Sequence, residues 1–293
     1  MERFKEDAFK SFLAGTASIV AGSCTHPIDT CKIRMQIQKV QADGTKKYPN
    51  LVKGIFVIYT EEGLRRGVYK GIEASMMREG TYSTLRLGLY EPIKRAMGAE
   101  DPKTTPVWKK FASGAVSGLI GSAVANPADL LKTRMQASPP GEHHPITWHV
   151  KDIWSHQGLM GFYKGLLPTV IRATMLNGTK LGTYDTIKHT LINSYGMEEG
   201  KKCQFMASVV AGFCMTVVTS PLDNIKTRIM NQRGQEKHYE GIIDCAKKMV
   251  KNEGGLISFY RGFGPQWARF APFTTIQLLT WELLRKMSGF NAI

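Results

Sequence analysis

Residues 27–34 read Pro-Ile-Asp-Thr-Cys-Lys-Ile-Arg, and this string decides the fold because it returns twice. Residues 127–134 read Pro-Ala-Asp-Leu-Leu-Lys-Thr-Arg, and residues 221–228 read Pro-Leu-Asp-Asn-Ile-Lys-Thr-Arg. Proline, aspartate, lysine and arginine keep one register in all three copies. A motif that recurs about every 100 residues indicates tandem repeats. We therefore predict three repeats, at residues 1–98, 99–197 and 198–293.

A stretch without any Asp, Glu, Lys or Arg ends within each string. These stretches are residues 11–28, 111–128 and 203–222, of which two hold 18 residues and the third holds 20. That length is what a helix needs to cross a hydrocarbon core ~30 Å thick. A mean hydropathy of −0.20 suggests instead the buried helices of a soluble protein. Because the same charge-free stretch occurs three times, we favour an integral membrane protein.

The chain is strongly basic, with 39 Lys and Arg against 24 Asp and Glu and a net charge of +15. Such a surplus indicates an anionic partner, which could be nucleic acid, acidic lipid or an anionic solute. The five cysteines and seven histidines lack the spacing of a metal site, and no glycine-rich phosphate loop is present. We therefore expect no metal, no cofactor and no enzymatic activity. The N-terminus mixes acids with bases, so we expect no cleavable presequence.

Each string is followed by a polar, partly helical connection and then by an aromatic-basic-glycine triplet. The triplets are Tyr69-Lys70-Gly71, Tyr163-Lys164-Gly165 and Tyr260-Arg261-Gly262. A second long helix follows each triplet. The sequence thus predicts an all-α membrane protein of three helix-loop-helix hairpins with six transmembrane helices.

The Pro-x-Asp-x-x-Lys strings predict an ionic ring. Prolines inside helices kink the axis, so Pro27, Pro127 and Pro221 would tilt three helices toward one axis. Aspartate and lysine three residues apart can pair within one helix. Kinks at equivalent positions favour pairing between neighbouring repeats instead. The ring, which would close one end of a central cavity, comprises Asp29, Asp129 and Asp223 with Lys132, Lys226 and Lys32.

The second helices end in related strings that predict a second ring at the opposite end. The acid and base pairs are Glu91 and Lys94, Asp185 and Lys188, and Glu282 and Arg285. Ordinary helix-end pairing is the alternative for these residues. Pro92 lies inside the first string and would distort that end.

An arginine lies seven residues beyond each triplet glycine, at Arg78, Arg172 and Arg269. Placing a charged side chain at the centre of a membrane costs ~2.5–3.5 kcal/mol, so charged residues at that depth usually indicate the path of a solute. Three convergent guanidinium groups would bind a carboxylate or another oxyanion. Arg86 and Lys180 add a second basic layer, to which the third repeat contributes Gln277. The alternative for Arg78 is a structural pair with its neighbour Glu79.

With these motifs, the chain resembles the mitochondrial carrier family (solute carrier family 25) over essentially its whole length. The resemblance implies a six-helix pseudo-threefold barrel in the mitochondrial inner membrane, with a short matrix-side helix in each repeat. The first ring would be the matrix gate and the second ring would be the cytosolic gate. Gln36 and Gln136 would brace the matrix gate, whereas Met230, at the equivalent position of repeat 3, would not. It also implies substrate contacts at Arg78, at Arg172 with Ala173, and at Arg269. Cardiolipin and other inner-membrane lipids would bind at Gly71, Gly165, Gly262 and Gly241, and no nucleic-acid partner is expected.

Within the family, three arginines are typical of the dicarboxylate, oxoglutarate and uncoupling-type branch. We therefore predict a carrier that exchanges small anions by alternating access. A proton or fatty-acid-anion leak is an alternative, although Gly22 stands where uncoupling-type proteins place an acid. A structural subunit bound to a respiratory-chain complex is another. Residues 63–69 and 254–260 each hold one residue more than the family spacing.

Overall fold

The structure is a computed structural model, and it describes residues 2–38, 45–98, 107–193, 201–232, 238–253 and 255–288. All regular structure in these ranges is helical. Repeat 1 contains α1 (Glu2–Cys24), α2 (His26–Ile37), α3 (Leu51–Gly63), α4 (Ile72–Gly88) and α5 (Tyr90–Ala96). Repeat 2 contains α6 (Val107–Ala137), α7 (Ile146–Gly161) and α8 (Leu166–Asn193). Repeat 3 contains α9 (Lys201–Asn231), α10 (Ile242–Asn252) and α11 (Phe263–Met287).

The long helices form a closed ring around a central cavity. Along the chain, α1 packs on α4, α4 on α6, α6 on α8, α8 on α9, and α9 on α11. Helix α11 packs back on α1, which closes the ring. The short helices α3, α7 and α10 lie beside the ends of the helices that carry the proline strings. This arrangement brings the three equivalent strings to one end of the cavity.

The prolines act differently in the three repeats. In repeat 1 the helix is interrupted at Thr25, so that α1 and α2 are separate elements with Pro27 in the first turn of α2. Pro127 and Pro221 lie inside the continuous helices α6 and α9. The helix boundaries thus differ between the repeats, while a kink at each proline stays a prediction, since a continuous helix can bend at proline. A second interruption, at Leu89, separates α4 from α5 just before Pro92, which has no N–H for the carbonyl of Gly88.

The extra residue of repeat 1 is accommodated by a π-helical turn at Leu64–Val68. Its closing bond runs from the Tyr69 N–H to the Leu64 carbonyl at 2.9 Å, over five residues rather than four. The wider turn takes up one residue before Tyr69 and Gly71, the sequence counterparts of Tyr163 and Gly165 in repeat 2. In repeat 3 the extra residue falls at position 254, outside the described residues.

None of the described helices contains an 18-residue window that is both hydrophobic and charge-poor enough to qualify as a membrane span.

Candidate functional site

The aspartates and lysines of the three strings form pairs between repeats. Lys132 Nζ donates to Asp29 Oδ2 at 2.6 Å, and Lys32 Nζ donates to Asp223 Oδ2 at 3.1 Å. Lys226 Nζ pairs with Asp129 Oδ2. Each lysine thus binds the aspartate of the preceding repeat, and repeat 1 closes the cycle onto repeat 3. We call these six residues the aspartate–lysine ring; the structure contains inter-repeat pairs and not bridges within one helix.

The two glutamines lie beside this ring but bind threonines. Gln36 Oε1 accepts from Thr227 Oγ1 at 2.8 Å, and Gln136 Nε2 donates to Thr30 Oγ1 at 3.0 Å. In the third repeat Met230 Sδ lies 3.7 Å from Thr133 Oγ1. Each threonine follows a ring lysine or aspartate directly in sequence. The contacts therefore tie neighbouring repeats together one residue away from the ionic pairs.

The three predicted arginines converge on the same ring. Arg78 Nε lies 3.0 Å from Asp129 Oδ1, and Arg269 Nε lies 2.9 Å from Asp29 Oδ1. Arg172 Nε contacts Asp223 Oδ1 as an ion pair without an aligned hydrogen bond. Each ring aspartate therefore faces one lysine and one arginine. The arginines form a basic layer directly above the ring.

A fourth carboxylate, Glu79, lies within this layer. Its Oε1 pairs with Arg78 Nη1 and accepts from Arg269 Nη2 at 3.3 Å. The side chain is only 5% exposed. The structural pair anticipated between Arg78 and Glu79 is thus present, and it extends to Arg269 of another repeat. This second contact could not be predicted, because nothing in the sequence spacing relates positions 79 and 269.

Above the ring lies a cavity of about 240 Å³. Its lining includes all three arginines, together with Arg86 and Ala173. Tyr82, Phe270, Phe273 and Leu176 add an apolar wall. Among the described side chains of cavity and ring, seven basic groups face four carboxylates, which leaves three positive charges. Such a surplus suits a small anion.

The strings at the other end of the second helices behave differently. Glu91 Oε1 lies 3.5 Å from Lys94 Nζ, so this pair forms inside α5 and joins no other repeat. The Arg285 guanidinium lies 4.8 Å from the centroid of the Trp281 ring, and Glu282 is exposed. In this structure Glu91 and Lys94 therefore form no pair with another repeat, and the second ring stays a prediction for a different conformation of the protein. The side chains of Lys180, Asp185 and Lys188 lie outside the described residues.

The last arginine of each string carries contacts that our sequence interpretation missed. Arg34 pairs with both oxygens of Glu62, and its Nε donates to the carbonyl of Gln136 at 3.3 Å. Arg228 likewise pairs with Glu253 and donates to the carbonyl of Gln36. Each of these arginines joins its own connecting helix to the next repeat. Arginine recurs at the eighth position of every string, and this recurrence could have predicted that the three arginines make equivalent contacts.

The equivalent residue of repeat 2 has a different partner. Arg134 donates to Gln157 Oε1 at 2.9 Å and to the carbonyl of Met230 at 3.1 Å. Gln157 stands where the other repeats have Glu62 and Glu253. Asp152 supplies the charge instead, at 3.4 Å from Arg134 Nη1. All three networks therefore keep a carboxylate beside the arginine.

The triplet glycines pack against the neighbouring repeat. Gly71, Gly165 and Gly262 have φ of 75°, 80° and 76°, a left-handed conformation that disfavours other residues. A Cβ on Gly71 would lie 2.9 Å from that of Met135, and one on Gly262 would lie 3.2 Å from the carbonyl of Lys32. All three glycines are buried and precede α4, α8 or α11. Gly241 precedes α10 in an extended conformation with open space around it.

The comparison with known proteins matches this architecture. The family described as "Mitochondrial carrier protein" matches at residues 5–101, 103–195 and 202–291. Mitochondrial substrate carrier family protein ucpB of Dictyostelium discoideum is 37% identical, over 97% of both chains. Mitochondrial uncoupling protein 5 of Arabidopsis thaliana is 35% identical, over 93% of this chain and 95% of its own. Kidney mitochondrial carrier protein 1 of Xenopus laevis is 34% identical, over 96% and 98%.

Members of this family are transporters and not enzymes. The three matched stretches cover nearly the whole chain, and each contains one copy of the string on which the aspartate–lysine ring is built. The chain belongs to the mitochondrial carrier family.

Proposed function

We propose that this chain exchanges small anions, such as dicarboxylates, oxocarboxylates or related inorganic anions, across the mitochondrial inner membrane. The observation that supports this proposal most strongly is the basic cavity, which is closed at one end by the aspartate–lysine ring. Three arginines line this cavity, and bidentate guanidinium groups are suited to carboxylates and other oxyanions. The six long helical segments would cross the membrane around the cavity.

Transport would proceed by alternating access. In the structure the ring pairs are formed, and in the proposed cycle this state would be the one closed on the matrix side. An anion bound by the arginines would compete for contacts that now hold Asp29, Asp129 and Asp223. A substrate can shift such an equilibrium only by its differential affinity for the two states. We infer that opening follows from this competition and that the helix-end strings close the cytosolic side in turn.

Lipid contacts form part of this proposal. Helix N-termini bind phosphate groups through free backbone N–H groups. The starts of α4, α8 and α11, and of α10 after Gly241, are the predicted places for cardiolipin headgroups.

The test is uptake by the purified protein in liposomes. Vesicles loaded with one unlabelled anion would be offered labelled dicarboxylates, oxocarboxylates, sulfate and phosphate in turn. We expect uptake of at least one anion that depends on an internal counter-anion and is lost in Arg172→Gln. A folded protein that takes up none of them would contradict the proposal.

A regulated proton or fatty-acid-anion leak is a second candidate, favoured by the name of the Arabidopsis relative. Gly22 stands where uncoupling-type proteins have an acid on the first helix. The Glu79 side chain, however, lies directly against Gly22. The cavity therefore contains a carboxylate in that region. Proton conductance sensitive to purine nucleotides, without anion exchange, would favour this candidate.

A further inference from the structure

The three cavity arginines are not equally available to a ligand. One Nη atom of Arg78 and one Nη atom of Arg269 both contact Glu79 Oε1. In the part of the chain that the structure describes, neither Nη atom of Arg172 has an acidic or hydrogen-bonding partner. Its side chain is 25% exposed toward the cavity. Of these three arginines, Arg172 is therefore the one whose forked end has both Nη atoms available within the described residues.

Arg86 provides a second available cation. Arg78, Tyr82 and Arg86 follow one another at intervals of four residues, so they lie on one face of α4. Both guanidinium groups flank the Tyr82 ring, at 5.8 and 5.9 Å from its centroid. Arg86 is exposed, and no described acid pairs with it. The Arg78–Arg269 half of the cavity thus contains a fixed carboxylate in addition to the ring aspartates, whereas the half with Arg172 and Arg86 has none among the described residues.

The packing holds Glu79 in place. A Cβ on Gly22 would lie 3.0 Å from Glu79 Cγ, so the absence of a side chain there leaves the room that Glu79 uses. The Glu79 carboxylate bridges α4 and α11, in repeats 1 and 3. A carboxylate fixed between two guanidinium groups occupies the place that one end of a dicarboxylate would take. It would also repel a second carboxylate brought near it.

The remaining walls of the cavity are apolar and suit the uncharged part of a substrate. Leu176 lies one turn beyond Arg172 on α8, and Phe270 and Phe273 come from α11. We propose that Glu79 is a built-in carboxylate that fills the Arg78–Arg269 half of the cavity, so that the preferred substrate is a monocarboxylate bound by Arg172 and Arg86. This inference rests on the proposed anion exchange and narrows its substrate class.

The test compares two 2-oxo acids of similar size, 4-methyl-2-oxopentanoate with one carboxylate and 2-oxoglutarate with two. Uptake of each into liposomes would be measured for the wild type and for Glu79→Gln. The wild type should prefer the monocarboxylate. Removing one negative charge should raise the ratio of 2-oxoglutarate to 4-methyl-2-oxopentanoate uptake by about tenfold or more.

Two control variants separate charge from packing. Glu79→Asp keeps the charge and should keep the monocarboxylate preference. Glu73→Gln removes an exposed acid from the first turn of the same helix and should leave the ratio unchanged. Thermal stabilisation of each purified variant by the two acids gives a binding readout that does not require transport. We expect 2-oxoglutarate to stabilise Glu79→Gln more than the wild type.

The outcomes are distinct. If the wild type exchanges anions but Glu79→Gln leaves the uptake ratio within about twofold, the role of Glu79 is wrong while the proposed function stands. A wild type that already prefers 2-oxoglutarate overturns the inference in the same way. If neither protein takes up or is stabilised by any anion, both the proposed function and this inference fail.

Discussion

The aspartate–lysine ring and the helix-end strings both place an acid and a base three residues apart, yet they pair differently. In the ring, every described pair joins two repeats, and Asp29 is 4% exposed. In the strings, Glu91 pairs with Lys94 of its own turn and is 41% exposed. Convergence of three helices brings foreign partners within reach at the ring. At the other end α5 is a separate short helix, so the nearest base is its own.

Burial, and not spacing, therefore decides how much such a pair contributes to the stability of the protein. A buried charge that loses its partner has no water to replace it, whereas an exposed one is solvated at once. The next three substitutions test this contrast.

The largest effect is expected from Asp29→Asn. This change removes an acidic partner of Lys132 and of Arg269; Lys132 stays buried as a cation, whereas Arg269 keeps its contact with Glu79. Breaking a buried pair by removing one member costs ~3–5 kcal/mol. Thermal unfolding of the purified protein in detergent should show a large loss of stability. Exchanging the charges in Asp29→Lys with Lys132→Asp should recover part of it, and a single variant as stable as the wild type would contradict the buried-pair account.

An intermediate effect is expected from Glu62→Gln, which tests the network beside the ring. Burial acts to raise the pKa of Glu62, but the hydrogen bonds and charge of Arg34, with the charge of Lys70, outweigh it and lower the pKa. A carboxylate with a lowered folded-state pKa stabilises the protein above its unfolded pKa. That stabilisation is lost as the pH falls through the folded-state value. We expect a loss of ~1–3 kcal/mol at neutral pH.

The pH dependence gives the control for this variant. As the pH falls below the ordinary glutamate range, the wild type should lose stability toward that of Glu62→Gln. Chemical denaturation at a series of pH values would measure the gap between the two proteins. A gap that stays constant or widens on acidification would show that the Arg34–Glu62 charge pair is not its cause.

The smallest effect is expected from Glu91→Gln. Its partner Lys94 is one turn away and Glu91 is more than a third exposed, so water replaces much of the interaction. Exposed pairs of this kind contribute ~0–1 kcal/mol. Stability in detergent should stay close to that of the wild type. A loss as large as that of Asp29→Asn would mean that Glu91 has a buried partner in another repeat.

The repeat architecture and the ring pairs could be predicted because identical residues recur in one register. Aspartate, lysine and proline recur at three equivalent positions, which predicted that three helices converge on one axis. At that axis the aspartate of one repeat can pair with the lysine of the next repeat. It also placed Arg78, Arg172 and Arg269 together above the ring. These contacts depend on the symmetry that the sequence itself displays.

The unpredicted contacts are those where symmetry fails. Glu79 has no counterpart at the matching positions Ala173 and Phe270, so only the helix packing could show that it reaches Arg269. The break at Leu89 likewise depends on Pro92, which the other two strings lack. Single-repeat features of this kind require distances between helices, which sequence spacing does not contain.

The closed order of helices has a consequence for how the chain could be connected. Helix α11 packs on α1 as part of the same ring as every other neighbouring pair, although no peptide bond joins them. The start of α1 and the end of α11 both lie away from the aspartate–lysine ring. A chain that begins with repeat 2, continues through repeat 3 and is linked to repeat 1 would meet the same neighbours in the same order. The helices therefore form a closed ring, and the two ends of the chain lie between the third repeat and the first.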